Sequence, residues 1–296
     1  MKIYDCFQFI DEEMLLDLRL NVMDKYVDKF VITEATYMHN GKSKKLTFDI
    51  KKFNKFKDKI IYIKVKDKPN GYLEIDENLT LGQKKGIQII NALSLDNFQR
   101  NQIIKGLNEA KDEDFILVSD LDEIPNLQNI DLSKYKSKIV IFKQDFFHYK
   151  FNLYLKGLEW FGSKCCTKKL FKSPQWLRNI KSKKYNFLRI DTLFSDKKYQ
   201  NIHIVKNGGW HFTNVNDEEG IVYKLKSYAH HADTPEDNFN KETFKKLIKE
   251  RKFMYDHSVE KGGNKFESEK NLSVYNFELL PNYIKNNKDL FKEWMV

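Results

Sequence analysis

The chain has 296 residues and a formal net charge of +10, from 52 Lys and Arg against 42 Asp and Glu. Its hydrophobic content of 41% is sufficient for a folded core and excludes an intrinsically disordered chain. The chain has three cysteines, Cys6, Cys165 and Cys166, and no Cys-x-x-Cys pair. This argues against a zinc site and against a disulfide framework. It favours a protein that works in a reducing compartment.

The first 65 residues predict an α/β opening. Residues 3–9 and 30–34 form apolar strand patterns, and between them Asp11-Glu12-Glu13 is typical of a helix start. Apolar residues then recur at three- and four-residue spacing, which indicates an amphipathic helix. A further strand is predicted at 60–65. The order strand, helix, strand, loop, strand is typical of a doubly wound sheet.

The next region leads to a strand that ends in acidic residues. Residues 82–95 and 96–110 predict two helical segments, of which the second is the more regular. The run at 115–118 is apolar without alternation, so we expect a strand buried on both faces. The following residues, 119–125, are called the acidic turn here. Its last residue, Pro125, is expected to stop regular strand pairing.

Three carboxylates crowd the acidic turn: Asp120, Asp122 and Glu123. Open α/β sheets bind ligands at the carboxyl ends of their strands. Like charges repel at this distance, unless a cation or hydrogen bonds offset them. Carboxylate oxygens suit Mg²⁺ or Mn²⁺ shared with substrate phosphates. On this motif alone, a metal site and a simple acidic surface turn remain equally open.

The second half of the chain has weaker patterns. Residues 139–142 predict a strand that continues into an aromatic edge or cleft wall at 144–149. Trp160 and Trp176 are predicted to lie in loops with exposed indoles. Residues 208–212 predict a glycine turn into a short aromatic strand. Two amphipathic helices are then predicted, over residues 217–228 and 242–255.

His211 is a candidate metal ligand because neutral imidazole binds Mn²⁺ well. A packed or capping histidine is an equally open interpretation. No P-loop, dinucleotide-binding or nucleophile-elbow motif occurs. The faces of Trp160 and Trp210 can stack on rings, which suggests a sugar- or base-binding cleft.

Several short segments occur in an order that resembles glycosyltransferase family 17, the family of bisecting N-acetylglucosaminyltransferases. The resemblance extends from residue 1 to about 255 and is loosest over 150–206. The segments that carry it are Asp5-Cys6-Phe7, residues 15–21, residues 30–34, His39-x-Gly41-Lys42, Gln99-Arg100-Asn101-Gln102, residues 119–125 and Gly209-Trp210-His211-Phe212.

The resemblance implies an α/β fold of the GT-A type, with a mixed, mostly parallel sheet and helices on both faces. It implies one catalytic domain over 1–260, with a nucleotide-sugar half at 1–125 and an acceptor half at 126–260. Residues 261–296 are expected to form a C-terminal extension packed on the domain.

The resemblance also implies a UDP-sugar donor, a divalent Mn²⁺ or Mg²⁺ ion and inversion at the anomeric carbon. Asp120, Asp122 and His211 are the expected metal ligands, and Glu123 is expected to orient the turn. The expected donor-binding residues are Glu34, Arg100, Asn101, Asp120 and Lys226. For Lys226, a solvated surface lysine is the alternative interpretation.

An inverting transfer requires a carboxylate base that takes the proton of the acceptor hydroxyl. Glu159 is the preferred candidate, and Asp145, Asp191 and Asp217 compete with it. Trp160 and Trp210 are expected to line the acceptor cleft.

The absence of a membrane anchor or secretory signal departs from the family's namesake. We therefore expect a cytoplasmic enzyme, of a bacterial cell or a virus-infected host, that transfers GlcNAc by preference to a glycan. The basic charge leaves two alternatives open: transfer to a modified base in DNA, or nucleic-acid binding without catalysis. A metal-dependent phosphohydrolase ranks last, because the sequence lacks the His and Asp clusters of two-metal sites.

Overall fold

The computed structural model describes residues 1–183, 185–186, 188–192, 194–198, 201–227, 240–253 and 270–296. Its strands are β1 (Ile3–Phe9), β2 (Lys29–Ala35), β3 (Ile60–Val65), β4 (Phe115–Val118), β5 (Glu123–Pro125), β6 (Ile139–Phe142), β7 (Gln144–His148), β8 (Leu153–Trp160), β9 (Lys164–Thr167), β10 (Ile202–Val205), β11 (Gly209–Thr213) and β12 (Ser273–Val274). Its α-helices are α1 (Glu13–Met23), α2 (Leu81–Asn101), α3 (Pro174–Asn179), α4 (Glu218–Ser227), α5 (Lys241–Glu250) and α6 (Asn282–Asn286).

The strands form two mixed sheets. The seven-stranded sheet has the order β10-β6-β9-β4-β1-β2-β3, and all its pairs are parallel except those made by β9. The five-stranded sheet has the order β12-β8-β7-β11-β5, in which only β7 and β11 are parallel. Because β4 lies inside the seven-stranded sheet beside β1, the acidic turn follows a central strand and not an edge strand.

Helices cover both faces of the seven-stranded sheet. On one face, Leu16 and Leu20 of α1 lie in the same buried cluster as Phe30 of β2. On the other face, Leu177 of α3 lies in a cluster with Ile116 of β4. All four residues of β4 are completely buried, which explains its unbroken apolar run. The predicted α/β class, with a mostly parallel mixed sheet of the glycosyltransferase type, is confirmed.

Two local predictions were wrong. Residues 82–110 do not form two helical segments, because one helix runs to Asn101 and continues into a 3₁₀ turn at Gln102–Gly106. A capping box of Thr80 and Gln83 starts this helix, and no glycine or proline interrupts it near residue 95. The indole of Trp176 is not exposed either, because Ser173 caps α3 and the indole N–H donates to the carbonyl of Asp196.

Pro125 is the last residue of β5, as expected of a residue that stops regular strand pairing. It pairs with Gly209 at the end of the antiparallel ladder between β5 and β11. A side chain at Gly209 would approach the carbonyl of Ile124 to 2.2 Å, and the φ angle of Gly209 is +124°. The glycine is therefore required for the contact that joins the acidic turn to the Trp210–His211 strand.

The C-terminal residues pack against α1 and β11. Leu280, Ile284 and Phe291 belong to the main buried cluster, and the carbonyl of Leu279 accepts a hydrogen bond from the indole of Trp210. The predicted boundary at 260 and 261 lies outside the described residues. The division into halves at 125 and 126 stays a prediction. Among the described helices, none combines the length and apolar character that crossing a bilayer requires.

Candidate active site

A cleft of about 270 Å³ opens where the carboxyl ends of β1 and β4 meet β11 and α4. It is rich in ionisable groups of both signs. The ionisable side chains that line it are Glu12, Asp96, Asp120, Asp122, His39, His211, Arg100 and Lys224. This is the sheet edge at which the sequence predicted a ligand site.

The backbone of the acidic turn is held by one buried arginine of α1. Arg19 is completely buried and forms a two-pronged ion pair with Asp5 of β1, with N···O distances of 2.6 and 2.9 Å. Its remaining Nη1 donates to the carbonyls of Asp120, Leu121 and Glu123. A rigid fork of donors therefore fixes three carbonyl acceptors of the turn against β1.

Glu123 anchors the turn from inside. Its carboxylate is completely buried and accepts hydrogen bonds from the indole of Trp160 at 2.7 Å and the backbone amide of Asp120 at 2.9 Å. It also forms an ion pair with Arg178 of α3. Burial alone would raise the pKa of Glu123, but Arg178 outweighs it and holds this pKa below its usual range. These contacts are the ones expected of a residue that orients the turn.

Asp120 lies between two arginines. Its Oδ1 is 3.1 Å from Arg100 and its Oδ2 is 2.8 Å from Arg178. Arg100 also pairs with Asp96, one helical turn earlier on α2. Both carboxylate oxygens of Asp120 therefore already have a cationic partner.

Asp122 faces a histidine and a lysine. His211 Nε2 lies 3.5 Å from its Oδ1, and Lys224 Nζ lies 3.5 Å from its Oδ2. Burial opposes ionisation of this carboxyl, but His211 and Lys224 outweigh the burial and hold its pKa well below the usual range. Asp122 is thus a fixed negative charge in the cleft.

An aromatic wall positions the imidazole of His211. Its ring stacks on Trp160, with 4.5 Å between centroids, and meets Phe146 edge-on at 5.0 Å. Its Nε2 is 2.8 Å from the hydroxyl of Thr213. Within the described part of the chain, the buried Nδ1 has no hydrogen-bond partner. A neutral imidazole has one donor and one acceptor nitrogen, so with Nε2 at the Thr213 hydroxyl, Nδ1 can still take a further ligand.

The fit of a divalent cation depends on these donors. Across the described ranges, no group of three or more His, Cys, Asp or Glu side chains is arranged to hold a metal ion. However, Mg²⁺ and similar ions are commonly held by one or two protein side chains together with substrate phosphates. Asp122 and His211 fit such a two-ligand set. Asp120 favours direct coordination less, because arginines occupy both of its oxygens, whereas at Asp122 one oxygen faces the candidate ligand His211 and only Lys224 would have to move.

Three predicted donor-binding residues lie away from the cleft lining. Glu34 is completely buried and accepts from the Thr47 amide and the Tyr62 hydroxyl, besides pairing with Lys44. The Asn101 side chain accepts from the backbone amide of Gln175. Lys226 is exposed on α4, and its backbone carbonyl accepts from Asn40. Of this predicted set, Arg100 and Asp120 line the cleft; direct donor contact by the other three stays a prediction that the geometry does not favour.

The proposed bases also lie outside the cleft lining. The side chain of Glu159 is 53% exposed and pairs with Lys143. Glu159 directly precedes the cleft residue Trp160 on β8. Because successive strand residues face opposite sides, Glu159 faces away from the cleft. Asp217 accepts from the amide of Gly220 at the start of α4. Asp145 accepts from the hydroxyl of Tyr275, and Asp191 pairs with Arg189 on the surface.

The two tryptophans assigned to the acceptor cleft are separated by the structure. Trp160 lines the cleft beside His211. Trp210 faces the opposite side of β11 and lines a different groove, together with Tyr283 of α6. The alternation of strand side chains explains this, since Trp210 and His211 are neighbours on one strand.

Several residues that build the site were not singled out from the sequence. They are Arg19, Asp96, Arg178, Lys224 and, as a cleft residue, Glu12. The Asp96–Arg100 pair has the i, i+4 spacing of a helical ion pair, a signal that was present. Arg178 contacts Glu123 from 55 positions away in the sequence, and Lys224 contacts Asp122 from 102 positions away. No local sequence pattern reveals such contacts.

Comparison with protein families matches residues 1–292 to the model of glycosyltransferase family 17. A mixed α/β fold with an acidic turn at the carboxyl edge of its sheet is compatible with a glycosyltransferase. The chain belongs to glycosyltransferase family 17, and it is therefore a glycosyltransferase. Comparison with curated proteins gave no match.

Proposed function

We propose that this glycosyltransferase transfers a sugar, GlcNAc by preference, from a UDP-sugar to a hydroxyl of a glycan acceptor, with inversion and with a divalent cation. The observation that carries the proposal is the convergence of Asp122, His211 and Lys224 in one cleft. The imidazole Nε2 and the ammonium Nζ each lie 3.5 Å from an oxygen of the Asp122 carboxylate. A carboxylate and an imidazole can share a divalent cation with phosphates, and an ammonium can pair with an anionic diphosphate.

Two cationic side chains of the cleft suit the diphosphate of the donor. Arg100 belongs to α2 and Lys224 to α4, and both side chains line the cleft. Their ion pairs with Asp96 and Glu12 keep them charged and positioned before a ligand arrives. A preorganised charge such as that of Arg100 stabilises a leaving diphosphate without further reorganisation.

Asp122 and His211 are the residues that would hold the divalent cation, which would supply positive charge to the diphosphate leaving group. Trp160 keeps the imidazole of His211 in place by stacking, and Glu123 keeps Trp160 in place through the indole N–H. The side chains are therefore fixed by their own neighbours, as a binding site requires.

The lining of the cleft does not favour a nucleic-acid acceptor. Four carboxylates line it, against the side chains of one arginine and one lysine. The proposal assigns both cations to the diphosphate of the donor, so the lining residues offer no further arginine or lysine to a nucleic-acid backbone. A DNA or RNA backbone would bring further negative charge into this surrounding, so we retain the glycan acceptor.

The test is a thermal-shift and calorimetric screen of nucleoside diphosphates and UDP-sugars, with and without Mn²⁺. A ligand that binds only the folded protein raises its unfolding midpoint. We expect UDP and one UDP-sugar to do so, and we expect sugar transfer or donor hydrolysis to be lost in Asp122→Ala. If no nucleoside diphosphate binds in the presence of Mn²⁺, the proposal is wrong.

A further inference from the structure

We propose that Lys224 is the resident counter-ion of Asp122, that a divalent cation has to displace it, and that the displaced ammonium then binds the diphosphate of the donor. This inference rests on the proposed function for the identity of the ligand. The competition between Lys224 and the metal is independent of catalysis.

The position of Lys224 is defined by two carboxylates. Its Nζ lies 2.8 Å from Oε1 of Glu12 and 3.5 Å from Oδ2 of Asp122. The side chains of all three residues are 13 to 14% exposed, so solvent screens the three charges little. The shorter distance shows that Glu12 is the stronger attachment and Asp122 the weaker one.

Charge then makes Lys224 and a metal ion competitors. Asp122 and His211 are the two side chains that fit the ion, and Lys224 already neutralises Asp122 from its other oxygen. A divalent ion on Asp122 would place +2 within a few ångströms of the ammonium, where repulsion is strong at low exposure. The lysine stem is flexible, so its charge can move where an arginine fork could not.

Glu12 decides where the displaced charge goes. While Glu12 is ionised, it holds the ammonium at the cleft wall and shares it with Asp122. Without the Glu12 charge, Asp122 would no longer share the ammonium of Lys224 with Glu12. The ammonium would then pair more closely with Asp122 and obstruct the ion more strongly.

The experiment measures Mn²⁺ binding to the full chain, without nucleotide, by the electron paramagnetic resonance signal of free Mn²⁺. Lys224→Met should bind Mn²⁺ roughly tenfold more tightly than the wild type, the factor that about 1.4 kcal/mol of relieved repulsion produces. Glu12→Gln should bind it several-fold more weakly. Lys226→Met removes the same charge two residues further along α4, where the side chain is exposed, and should leave the Mn²⁺ affinity within about twofold.

The comparison of Lys224→Met with Lys226→Met distinguishes the inference from a general effect of net charge, because both variants lose one positive charge of α4. Tighter binding in Lys224→Met with weaker binding in Glu12→Gln supports it. Three results overturn the inference. Lys224→Met binds Mn²⁺ no more tightly than the wild type, or Lys226→Met gains as much Mn²⁺ affinity as Lys224→Met. The third is that neither the wild type nor Lys224→Met binds Mn²⁺. If Lys224→Met does not fold by circular dichroism, Glu12→Gln is compared with Glu13→Gln, which removes the same charge at the next position, where the side chain is 41% exposed. Weaker Mn²⁺ binding in Glu12→Gln alone supports the inference, and equal affinities in these two variants overturn it.

A second titration tests the diphosphate contact. UDP with saturating Mn²⁺ should bind Lys224→Met at least about fivefold more weakly, although the metal binds that variant more tightly; equal UDP affinity overturns this half of the inference. Failure of the proposed function has a different signature. In that case no UDP binds the wild type, while the Mn²⁺ affinities can still order as expected.

Discussion

Arg178 and Glu123 form an ion pair in the interior, with 2.5 Å between Nη1 and Oε2 and no solvent exposure of the glutamate side chain. The pair connects the short helix α3 to the acidic turn. The second amino group of Arg178 reaches Asp120, so one guanidinium neutralises two carboxylates of the turn. The conformation of the turn therefore depends on a residue far away in the sequence.

We predict that Arg178→Met destabilises the protein by roughly 3–5 kcal/mol, because it leaves the Glu123 charge buried without its cation. Urea unfolding followed by circular dichroism measures this. The matched control is Arg189→Met, which removes an exposed arginine paired with Asp191 and should have no measurable effect. A similar loss in both variants would contradict the prediction.

Gly162 is required by the same network. A β-carbon at this position would lie 1.9 Å from Oε1 of Glu123, so a larger residue must push the buried carboxylate away from Trp160 and Arg178. We predict that Gly162→Ala lowers the free energy of unfolding by roughly 1–3 kcal/mol. Gly86→Ala is the control, since Gly86 lies within α2 with open space around it, and this substitution should stabilise by about 0.5–1 kcal/mol. Opposite signs of the two changes are the expected result.

Activity measurements can separate Asp122 from the base predicted from sequence. Asp122→Asn keeps the shape but removes the negative charge that faces His211 and Lys224, and we predict that kcat/KM falls by at least about a hundredfold. Glu159→Gln changes an exposed carboxylate on the other side of its strand, paired with Lys143, and should change kcat/KM by less than about threefold. A large loss in Glu159→Gln would restore Glu159 as the base.

The sequence predicts the fold well where local patterns determine it. The unbroken apolar run of β4 requires burial on both faces, and the acidic turn follows from its position at the carboxyl end of that strand. The error at α2 arose from weak amphipathic periodicity, which a tertiary packing surface overrides. The error at Trp176 has a local cause, because the sequence Ser173-Pro174 is as typical of a helix start as of a loop.

The candidate site is less predictable because its contacts join distant segments. Arg19 reaches the carbonyl of Glu123 across 104 positions, and a buried arginine in an amphipathic helix resembles a surface residue in sequence. In contrast, strand alternation is a local signal and was available. It separates His211 from Trp210 and Trp160 from Glu159, since each pair lies on one strand.

Lys164 gives a prediction for pH dependence. Its ammonium is buried in β9 and donates to the carbonyls of Arg178 and Ile180 at the end of α3. Burial and the nearby Arg178 charge lower the pKa of Lys164 to about 7, from an ordinary value of about 10.4. At pH values between these two pKa values, Lys164 binds a proton in the unfolded chain but not in the folded protein. The free energy of unfolding therefore rises with pH in this range. The contribution is complete above the unfolded pKa and is lost as the pH falls to about 7.

We predict that between about pH 7.5 and 9 the wild type gains roughly 1–2 kcal/mol of stability relative to Lys164→Met. Urea unfolding at several pH values measures the difference between the two slopes, which is independent of the hydrogen bonds that the substitution removes at every pH. Lys105→Met, at an exposed position of the 3₁₀ turn after α2, is the control and should run parallel to the wild type. If the Lys164→Met curve also runs parallel, Lys164 stays protonated in the folded protein, and its bonds to the end of α3 are those of a charged ammonium.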